Sequence, residues 1–444
     1  MEALIVISII GVVIFLAIRA KKKDNKDREV PVKPPIVVEP EEKPVEPIPI
    51  EPKPVSKIYY IELPKDGSDV TTLIQSQINS IPDGVDNLPN IIQFPDGVYW
   101  TEGFNISREN KGIISFYKRN NLIVRGEKTI LYTKRPGLDH QGSVQGNDYS
   151  HRRHVWIQNS THIEITLTIE GSNKVIGSKV DREPDFTPDW WIYGEDNGAF
   201  GDAPAYKEYL EFEHAFASEN SHYITFNNCN VNGVFGDGIC IGGDVKTGGS
   251  SNIKVLGGNI TNTGRQQVAI YNSRYVLIDG LVTSRGRRSI FDLENYSDDG
   301  FIEFVEIRNT NTYATHTFIA ALGRGIVNNI NIQNNKFRTP GRTLVCQGRS
   351  GIRRSNWKFT DNARVDYGFG SPISSIGFGI TDNILIENNF EPIAGSQSRS
   401  PASFTDCKNV KIKGNDFKYG IYIKSDNYEV TASNNNPVQQ IVIQ

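Results

Sequence analysis

Short segments in which apolar and polar residues alternate recur from about Ser218 to the C-terminus of this chain. Examples are SSNIKVLGGNITNTGRQQVAIYN, SRYVLIDGLVTSRGRRSIFDLEN and NINIQNNKFRTPGRTLVCQG. They begin at Asn, Ser, Asp or Gly and recur about every two dozen residues, a period typical of stacked repeats. Alternation with a period of two predicts strands, and no segment shows the apolar period of a helix. The pattern therefore indicates an all-β fold, a right-handed parallel β-helix in which each coil buries its apolar side against its neighbours.

A different pattern precedes the repeats. KDGSDVTTLIQSQINSI predicts a short amphipathic helix with Asp69 and Thr71 as N-terminal capping groups, and Pro82-Asp83-Gly84 is expected to end it. The apolar side of this helix would consist of Leu73, Ile74, Ile78 and Ile81. A helix at this point is expected to cap the open end of the β-helix core.

The N-terminal segment Ala3–Ile18 is uncharged and lies between Glu2 and Arg19. It predicts a transmembrane anchor over residues 1–20, although its length of about 24 Å is slightly short for a bilayer. A cleaved signal peptide is the alternative, but the start MEA carries no Lys or Arg and no small-residue cleavage site follows. The basic residues after the span favour a cytoplasmic C-terminal side, which would suit a virus with an internal membrane.

Residues 21–56 form a charged, Pro-rich linker. Such a segment is expected either to extend as a polyproline II stalk or to remain a plain disordered linker. In both cases it would hold the head, residues 57–430, away from the membrane. We therefore expect a single-pass, membrane-anchored protein whose head is displayed on a virion or cell-envelope surface.

The 444 residues carry a net charge of −3, which excludes a general electrostatic attraction to nucleic acid. The cysteines show no spacing typical of a metal site, and we expect buried free thiols. They are Cys229, Cys240, Cys346 and Cys407.

The segments DGSDVTTLIQSQI and FPDGVY resemble the entry motif of the pectate-lyase-like superfamily, which includes phage tailspikes and polysaccharide-degrading proteins. EFEHAF, VFGDGICIGG, GRQQVAI and RRSIFDLEN resemble uncharacterised bacterial β-helix proteins of this group. The resemblance covers residues 57–430 and implies polysaccharide binding and a homotrimer. It does not extend to a known active site, because GDG at Gly236–Gly238 carries one Asp, and neither a Gly-His-Gly nor an RxPxxR-type segment occurs.

Alignment of consecutive coils by their apolar residues predicts a candidate active site. Asp292 and Glu294 should point outward on one solvent face, with Cα atoms about 6.5–7 Å apart. The other predicted catalytic residues are Arg288, Asp237 and His316. The predicted substrate-binding residues are Arg265, Arg287, Gln266, Tyr271, Trp190, Trp191, Tyr193, Glu213 and His214.

These residue types fit an acidic sugar. Arg265, Arg287 and Arg288 could bind a uronate carboxylate, while Asp292 and Glu294 act as acid and base or hold Ca²⁺. No other cofactor or metal site is predicted. The alternative is that Arg and Asp on adjacent coils form structural ion pairs. Burial of both acids, or their placement on different sides, would exclude the active-site interpretation.

An interruption at residues 171–217 carries Trp190, Trp191 and Tyr193 of this set, together with Glu213 and His214. Its rings would either stack on sugars or form a small satellite core. The tail, residues 431–444, is expected to be either a strand that pairs between protomers or a frayed last coil.

Three functions therefore remain open: a lyase or glycoside hydrolase acting on a cell-surface polysaccharide, a non-catalytic receptor-binding spike, and a structural stalk.

Overall fold

The chain forms a long coil of short parallel strands. The computed structural model describes residues 55–85, 88–101, 112–133, 153–171, 173–176, 179–181, 213–313, 317–338, 342–365, 376–391, 402–417, 421–423, 426–435 and 442–443. The elements are α1 Thr71–Ser80, a 3₁₀ turn Val245–Thr247, and the strands β1 Ile58–Tyr60, β2 Asn90–Gln93, β3 Gly97–Trp100, β4 Gly112–Tyr117, β5 Asn120–Tyr132, β6 Arg153–Gln158, β7 Thr161–Glu170, β8 Lys174–Ile176, β9 Lys179–Asp181, β10 Phe216–Glu219, β11 His222–Asn227, β12 Asn230–Val234, β13 Ile239–Gly242, β14 Ser250–Leu256, β15 Asn259–Thr263, β16 Val268–Ile270, β17 Ser273–Asp279, β18 Val282–Ser284, β19 Phe291–Leu293, β20 Phe301–Arg308, β21 Asn311–Tyr313, β22 Ile319–Ala321, β23 Ile326–Gln333, β24 Lys336–Arg338, β25 Leu344–Gln347, β26 Arg354–Thr360, β27 Ala363–Arg364, β28 Ile376–Glu387, β29 Phe390–Glu391, β30 Ala402–Lys413, β31 Asp416–Phe417, β32 Ile421–Ile423, β33 Tyr428–Ser433 and β34 Val442–Ile443.

The strands stack in three parallel columns, each strand pairing with its counterpart in the next coil. The first column runs through β4, β6, β10, β13, β16, β19, β22 and β25. The second runs through β7, β11, β14, β17, β20, β23 and β26, and the third through β12, β15, β18, β21 and β24. The predicted parallel β-helix is confirmed, and only β8 and β9 form a separate antiparallel pair among the described strands.

The core is one continuous apolar cluster along the inside of the coils. In the first column Ile239, Val268 and Phe291 lie directly above one another, as the alignment of apolar residues predicted, and Ile319 continues this stack. All four side chains are fully buried. The repeat in the sequence therefore produces a column of apolar residues that excludes water over many coils.

The predicted amphipathic helix is present as α1. Ile74 and Ile78 are buried in the core, whereas Leu73, which was expected on the same side, is 39% exposed. Asp69 Oδ1 accepts the backbone N–H of Thr71 at 3.0 Å, although the capping position itself is occupied by Val70. A role of this helix as the cap of the solenoid stays a prediction.

Asparagines form a ladder at one corner of the coil. Asn335, Asn362, Asn389 and Asn415 are buried, and each side-chain Nδ2 donates to the Oδ1 of the asparagine in the next coil at 2.9–3.1 Å. The residue before each has a positive φ, as at Asn334 and Asn388, which Asn adopts more readily than most residues. Two Asn doublets of the sequence, Asn334-Asn335 and Asn388-Asn389, belong to this ladder. At the Asn227-Asn228 doublet the next residue is Cys229, whose thiol donates to the Ile165 carbonyl instead.

The four cysteines are free and buried, as predicted. The tail pairs within its own chain, because β33 adds to β30 and β34 adds to β32. The predicted anchor, residues 1–20, and the predicted linker up to residue 54 lie outside the described residues. No helix in the described ranges is long and apolar enough to cross a membrane.

Candidate functional site

The candidate site lies on the outer side of the first column. Strand register places an outer row of five residues in adjacent coils: Trp156, Ala217, Cys240, Ala269 and Asp292. In the turns that precede β13 and β16, Asp237 lies beside Gln266 of the next coil. The backbone N–H of Gln266 donates to Asp237 Oδ1 at 3.1 Å. Asp237 and Gln266, both predicted for the site, are therefore in direct contact.

The expected exposure of the acids is wrong for one of the two. Asp292 is only 6% exposed, whereas Glu294 on the same side is half-buried. Asp237 and Arg265 are buried as well. Since one acid still reaches the surface and both share a side, the condition that would have excluded the site is not met. The site is a buried polar cluster with a partly open edge, and not the open flank that was predicted.

A chain of polar contacts links the predicted residues across three coils. Arg265 Nη1 lies 3.7 Å from Asp237 Oδ2, and the Gln266 side chain donates from Nε2 to Asp292 Oδ2 at 2.8 Å. The backbone N–H of Arg288 donates to the Arg265 carbonyl, so the two arginines belong to adjacent coils. Arg288 is half-buried and Arg287 is buried. The cluster therefore brings together Asp237, Arg265, Gln266 and Asp292, next to Glu294 and Arg288.

Burial raises the pKa of Asp292 well above its usual range, and the negative charge of Glu294 raises it further. Arg265 opposes this shift, while Asp237 and the contact with the Glu294 carboxyl group add to it. Asp292 is thus an acid that keeps its proton at a pH where an exposed aspartate has lost it. Glu294 is also a side-chain hydrogen-bond partner of Asp292, so the two carboxyl groups lie closer together than the separation of about 6.5–9.5 Å that is typical of inverting glycosidases.

The preceding coils add histidines and a further acid. Glu213 Oε1 lies 3.3 Å from His154 Nε2, and His214 Nδ1 accepts the backbone N–H of Asp237 at 3.0 Å. All four of these residues are buried. Glu213 and His214 were predicted as substrate-binding residues, but their burial makes them a support for Asp237 and not a surface that touches a ligand.

Several residues of the cluster were not among the predicted site residues. His154, Arg153 and Trp156 lie on β6, and Glu219 lies on β10. The Arg153 guanidinium pairs with Glu219 and lies 5.2 Å from the centre of the Trp156 ring. The repeat was recognised only from about Ser218 onward. Extending its register back across the interruption, so that RHVWIQ aligns with FASE, would have found these residues.

A metal ion does not fit this cluster. His214 Nδ1, Asp237 Oδ2 and the Cys240 thiol lie close together, but His214 Nδ1 already accepts a backbone N–H. Burial also raises the pKa of Cys240, so the thiol keeps its proton. Ca²⁺ requires about six to eight oxygen ligands. Asp292 and Glu294, the acid pair, offer only two carboxyl groups. They lie near the positive charge of Arg265, and the Gln266 amide donates to Asp292 and so offers no oxygen there. The residues present therefore do not fit Ca²⁺ either.

Tyrosines border the open edge of the site. The Tyr271 ring lies over Gly242 of the preceding coil, and its hydroxyl donates to Glu219 Oε1 at 3.4 Å. Tyr296, which is 61% exposed, contacts Tyr271 edge to face at 5.7 Å between ring centres. The accessible surface therefore combines two phenol rings with Glu294. Trp190, Trp191, Tyr193 and His316, which were also predicted for the site, lie outside the described residues.

No known family model matches the sequence, and no curated protein matches it either. Solved structures with a similar course of the chain include the family 28 exopolygalacturonase of Yersinia enterocolitica, with 10% identity, 87% of this chain and 79% of that chain covered, and a TM-score of 0.49. A tailspike protein of E. coli bacteriophage HK620 in complex with a pentasaccharide has 11% identity and a TM-score of 0.47. The match covers 85% of this chain and 62% of the tailspike chain. The polygalacturonase from Erwinia carotovora ssp. carotovora has 14% identity and a TM-score of 0.47. The match covers 89% of this chain and 98% of the polygalacturonase chain. This chain thus spans less than two thirds of the tailspike, and at these scores the strand register itself, and not the likeness, establishes the parallel β-helix.

Proposed function

We propose that this protein binds an acidic polysaccharide with Arg288, Glu294 and Tyr271 and hydrolyses it with Asp292 as the general acid. The observation that carries this proposal is the raised pKa of Asp292 next to a second, more exposed carboxyl group. A carboxylic acid whose pKa is raised by burial can protonate a leaving group, and pairs of carboxyl groups in different environments are typical of glycosidases.

In this mechanism Arg288 binds a uronate carboxylate and orients the chain against the tyrosines. Asp292 transfers its proton to the glycosidic oxygen, the bond to the anomeric carbon breaks, and the leaving sugar departs as an alcohol. Water adds to the anomeric carbon and gives its proton back to the acid pair. A lyase instead needs a base to remove the proton at C5, and a protonated Asp292 is less suited to that task than to hydrolysis.

A non-catalytic receptor-binding spike is the second candidate. It is favoured by the burial of Asp292, which is only 6% exposed and must be reached through the edge beside Glu294. In that function Arg288, Tyr271 and Tyr296 would bind the glycan and the acid pair would have a structural role.

The surroundings of the head domain belong to the same proposal. The apolar segment Ala3–Ile18 would anchor the protein in a membrane, and the Pro-rich linker would display the head on a virion or cell-envelope surface. A homotrimer is part of the proposal through the tailspike resemblance of the sequence. Fractionation of membranes and sedimentation of the full-length protein in detergent test these two points.

The test of activity is incubation of the purified full-length protein with polygalacturonate, alginate and hyaluronate. We expect shortening of one polymer with new reducing ends and no new absorbance from an unsaturated uronate. Asp292→Asn should lower the rate by about 10²–10⁴-fold and leave polymer binding unchanged. Asp299→Asn, an exposed acid just after the same coil, is the matched control and should keep the rate.

The other outcomes decide against hydrolysis. Unsaturated uronate ends would identify a lyase. Binding without shortening would leave the receptor-binding function. Loss of activity in Asp299→Asn equal to that in Asp292→Asn would show that the acid pair has no specific role.

A further inference from the structure

A second surface of the β-helix carries a column of aromatic side chains. In the second strand column His162, Tyr223, Asn252, Tyr275 and Phe304 occupy the same position of successive coils. All five have a positive φ between 54° and 57°. Tyr223, Tyr275 and Phe304 are exposed by 53%, 53% and 45%. Large apolar side chains held at this exposure along one line mark an interaction surface.

The rings are arranged as two stacked pairs. His162 and Tyr223 are parallel within 5° at 4.6 Å between ring centres, and Tyr275 and Phe304 are parallel within 11° at 4.9 Å. Asn252, in the coil between the two pairs, carries no ring. One face of Tyr223 and one face of Tyr275 are therefore directed toward each other across the Asn252 coil.

The separation of these two faces fits a sugar ring. Two coil spacings of about 4.8 Å place the Tyr223 and Tyr275 rings about 9.6 Å apart. Two carbon–carbon contacts of about 3.5–4.0 Å account for about 7–8 Å of this distance. A flat aromatic ring midway between them would leave both contacts too long, whereas a puckered pyranose fills the remaining space. A groove of about 550 Å³ lies at this place, large enough for one sugar residue and its substituents.

Polar groups line the floor of the gap. Lys254 and Thr225 lie two residues after Asn252 and Tyr223 and line the same groove. Lys254 is exposed, and no ion pair of its ammonium group is found among the described residues. Glu306, the acid that lines the groove, is paired with Arg308 at 2.9 Å. The gap therefore combines two aromatic faces, a half-buried amide and a cation that can bind an anionic substituent.

We propose that the gap between Tyr223 and Tyr275 is a binding subsite for one acidic pyranose residue of a glycan, with its carboxylate against Lys254. This subsite lies on the second strand column, whereas the acid pair lies on the first. It does not rest on cleavage at Asp292 and would hold a polymer whether or not the protein is an enzyme.

The test is affinity electrophoresis of the full-length protein through gels that contain polygalacturonate, alginate or hyaluronate, with dextran as the neutral polymer. Tyr223→Asn and Tyr275→Asn remove one ring each and introduce the residue that later coils carry at this position, such as Asn329 and Asn356, so the backbone conformation is kept. Phe304→Asn is the matched control, since this ring backs Tyr275 and does not face the gap.

We expect at least one acidic polymer to retard the wild-type protein. Each tyrosine variant should weaken its apparent affinity about tenfold, Lys254→Gln should weaken it similarly, and Phe304→Asn should stay within about twofold. The proposal is overturned if no acidic polymer retards the wild type, or if the tyrosine variants bind as the wild type does. Equal losses in Phe304→Asn and the tyrosine variants would indicate a general apolar docking surface. Binding that depends on Arg288 but on neither tyrosine would assign the glycan to the first column alone.

Discussion

Asp292 is the residue at which the candidate site departs most from the repeat. The adjacent coils place Ala269 and Ala320 beside it, two small residues that need no solvent. The Asp292 carboxyl group is buried in this row, and the Gln266 side-chain amide is a neutral hydrogen-bond partner for it. A charged acid at this place would lose more hydration than these contacts return, so the neutral acid is favoured.

The raised pKa of Asp292 makes the stability of the protein depend on pH. The protonated form is favoured in the folded state, so its stabilising contribution is complete below the pKa of an unfolded aspartate and is lost as the pH rises through the raised value. We expect the wild type to lose stability over this range and Asp292→Asn to lose less, measured by urea unfolding from pH 4 upward. An identical pH dependence in both proteins would show that Asp292 ionises normally.

If Asp292 is the general acid, the rate of polymer cleavage should fall as the pH rises through the same range, because the acid form disappears. Gln266→Leu removes the hydrogen bond to Asp292 Oδ2 and should move the upper limb of this pH–rate profile. An unchanged profile in this variant would contradict a positioning role of Gln266.

Gly242 has a steric function beneath Tyr271. A Cβ atom at this position would lie 2.1 Å from the Tyr271 ring, and the φ of Gly242 is not in the left-handed region, so space alone decides the residue. Gly242→Ala should destabilise the protein by about 1–3 kcal/mol in urea unfolding. The same change in a Tyr271→Ala background should cost far less.

Gly377 provides the control for this prediction. It lies in the first strand column, where a Cβ atom would meet Ser403 Oγ only at 3.5 Å. Gly377→Ala should therefore be nearly neutral. A loss as large as that of Gly242→Ala would show that glycine is required there for another reason.

At the scale of elements, the buried asparagine ladder ties the corners of successive coils together. Asn362 accepts the backbone N–H of Asn335 at 3.1 Å, accepts its side-chain Nδ2 at 2.9 Å, and donates to the Ile332 carbonyl at 2.9 Å. Each bond satisfies a polar group that the turn would otherwise bury without a partner. The ladder thus allows a sharp turn between strands in the interior of the protein.

Asn362→Ala should lower the free energy of unfolding by about 2–4 kcal/mol, because two or more buried groups lose their partner. Asn356→Gly is the matched control: it removes two bonds of an exposed asparagine ladder, from its Nδ2 to Asn329 Oδ1 and from Asn383 Nδ2 to its Oδ1, and Gly adopts the same positive φ. It should cost less than about 1 kcal/mol, as measured by urea unfolding. Similar losses in the two variants would contradict the importance of burial.

At the scale of the whole molecule, the described coils form a one-dimensional array with one continuous core. Phe318 lies in the middle of it, stacked on Phe337 at 4.2 Å and edge to face with Phe291 at 5.6 Å. Each coil contacts only its neighbours, so the stability of the array is a sum of coil interfaces. A weakened interface in the middle separates two stable parts, whereas one near the end removes only the last coils.

Phe318→Ala should therefore cost about 3–5 kcal/mol and divide unfolding into two transitions, seen as a difference between fluorescence and circular dichroism curves. Phe404→Ala, near the C-terminal end, should leave one main transition. Coincident curves for Phe318→Ala would show that the array unfolds as a single unit.

The sequence by itself determined the path of the chain. Apolar residues with a period of two, repeated at the spacing of one coil, have only one way to bury themselves, so Ile239, Val268 and Phe291 could be aligned without coordinates. The same alignment placed Asp237, Gln266 and Asp292 in neighbouring coils, because strand register is set by the apolar pattern. Short-range signals also located α1.

The tertiary structure decided what surrounds those residues. Whether an outward side chain is exposed to solvent depends on the side chains that surround it in the folded protein. The strand pattern does not contain this information, and the exposure expected for Asp292 was therefore wrong. His154 and Glu213 are neighbours in adjacent coils although a long interruption separates them in the sequence. The interruption hides their shared strand register from an inspection of the sequence. The gap between Tyr223 and Tyr275 likewise exists only because two coil spacings add up in space. The local apolar pattern determines which residues become neighbours along a β-helix. The burial and the protonation state of each side chain depend on all of its contacts, and these exist only in the folded chain.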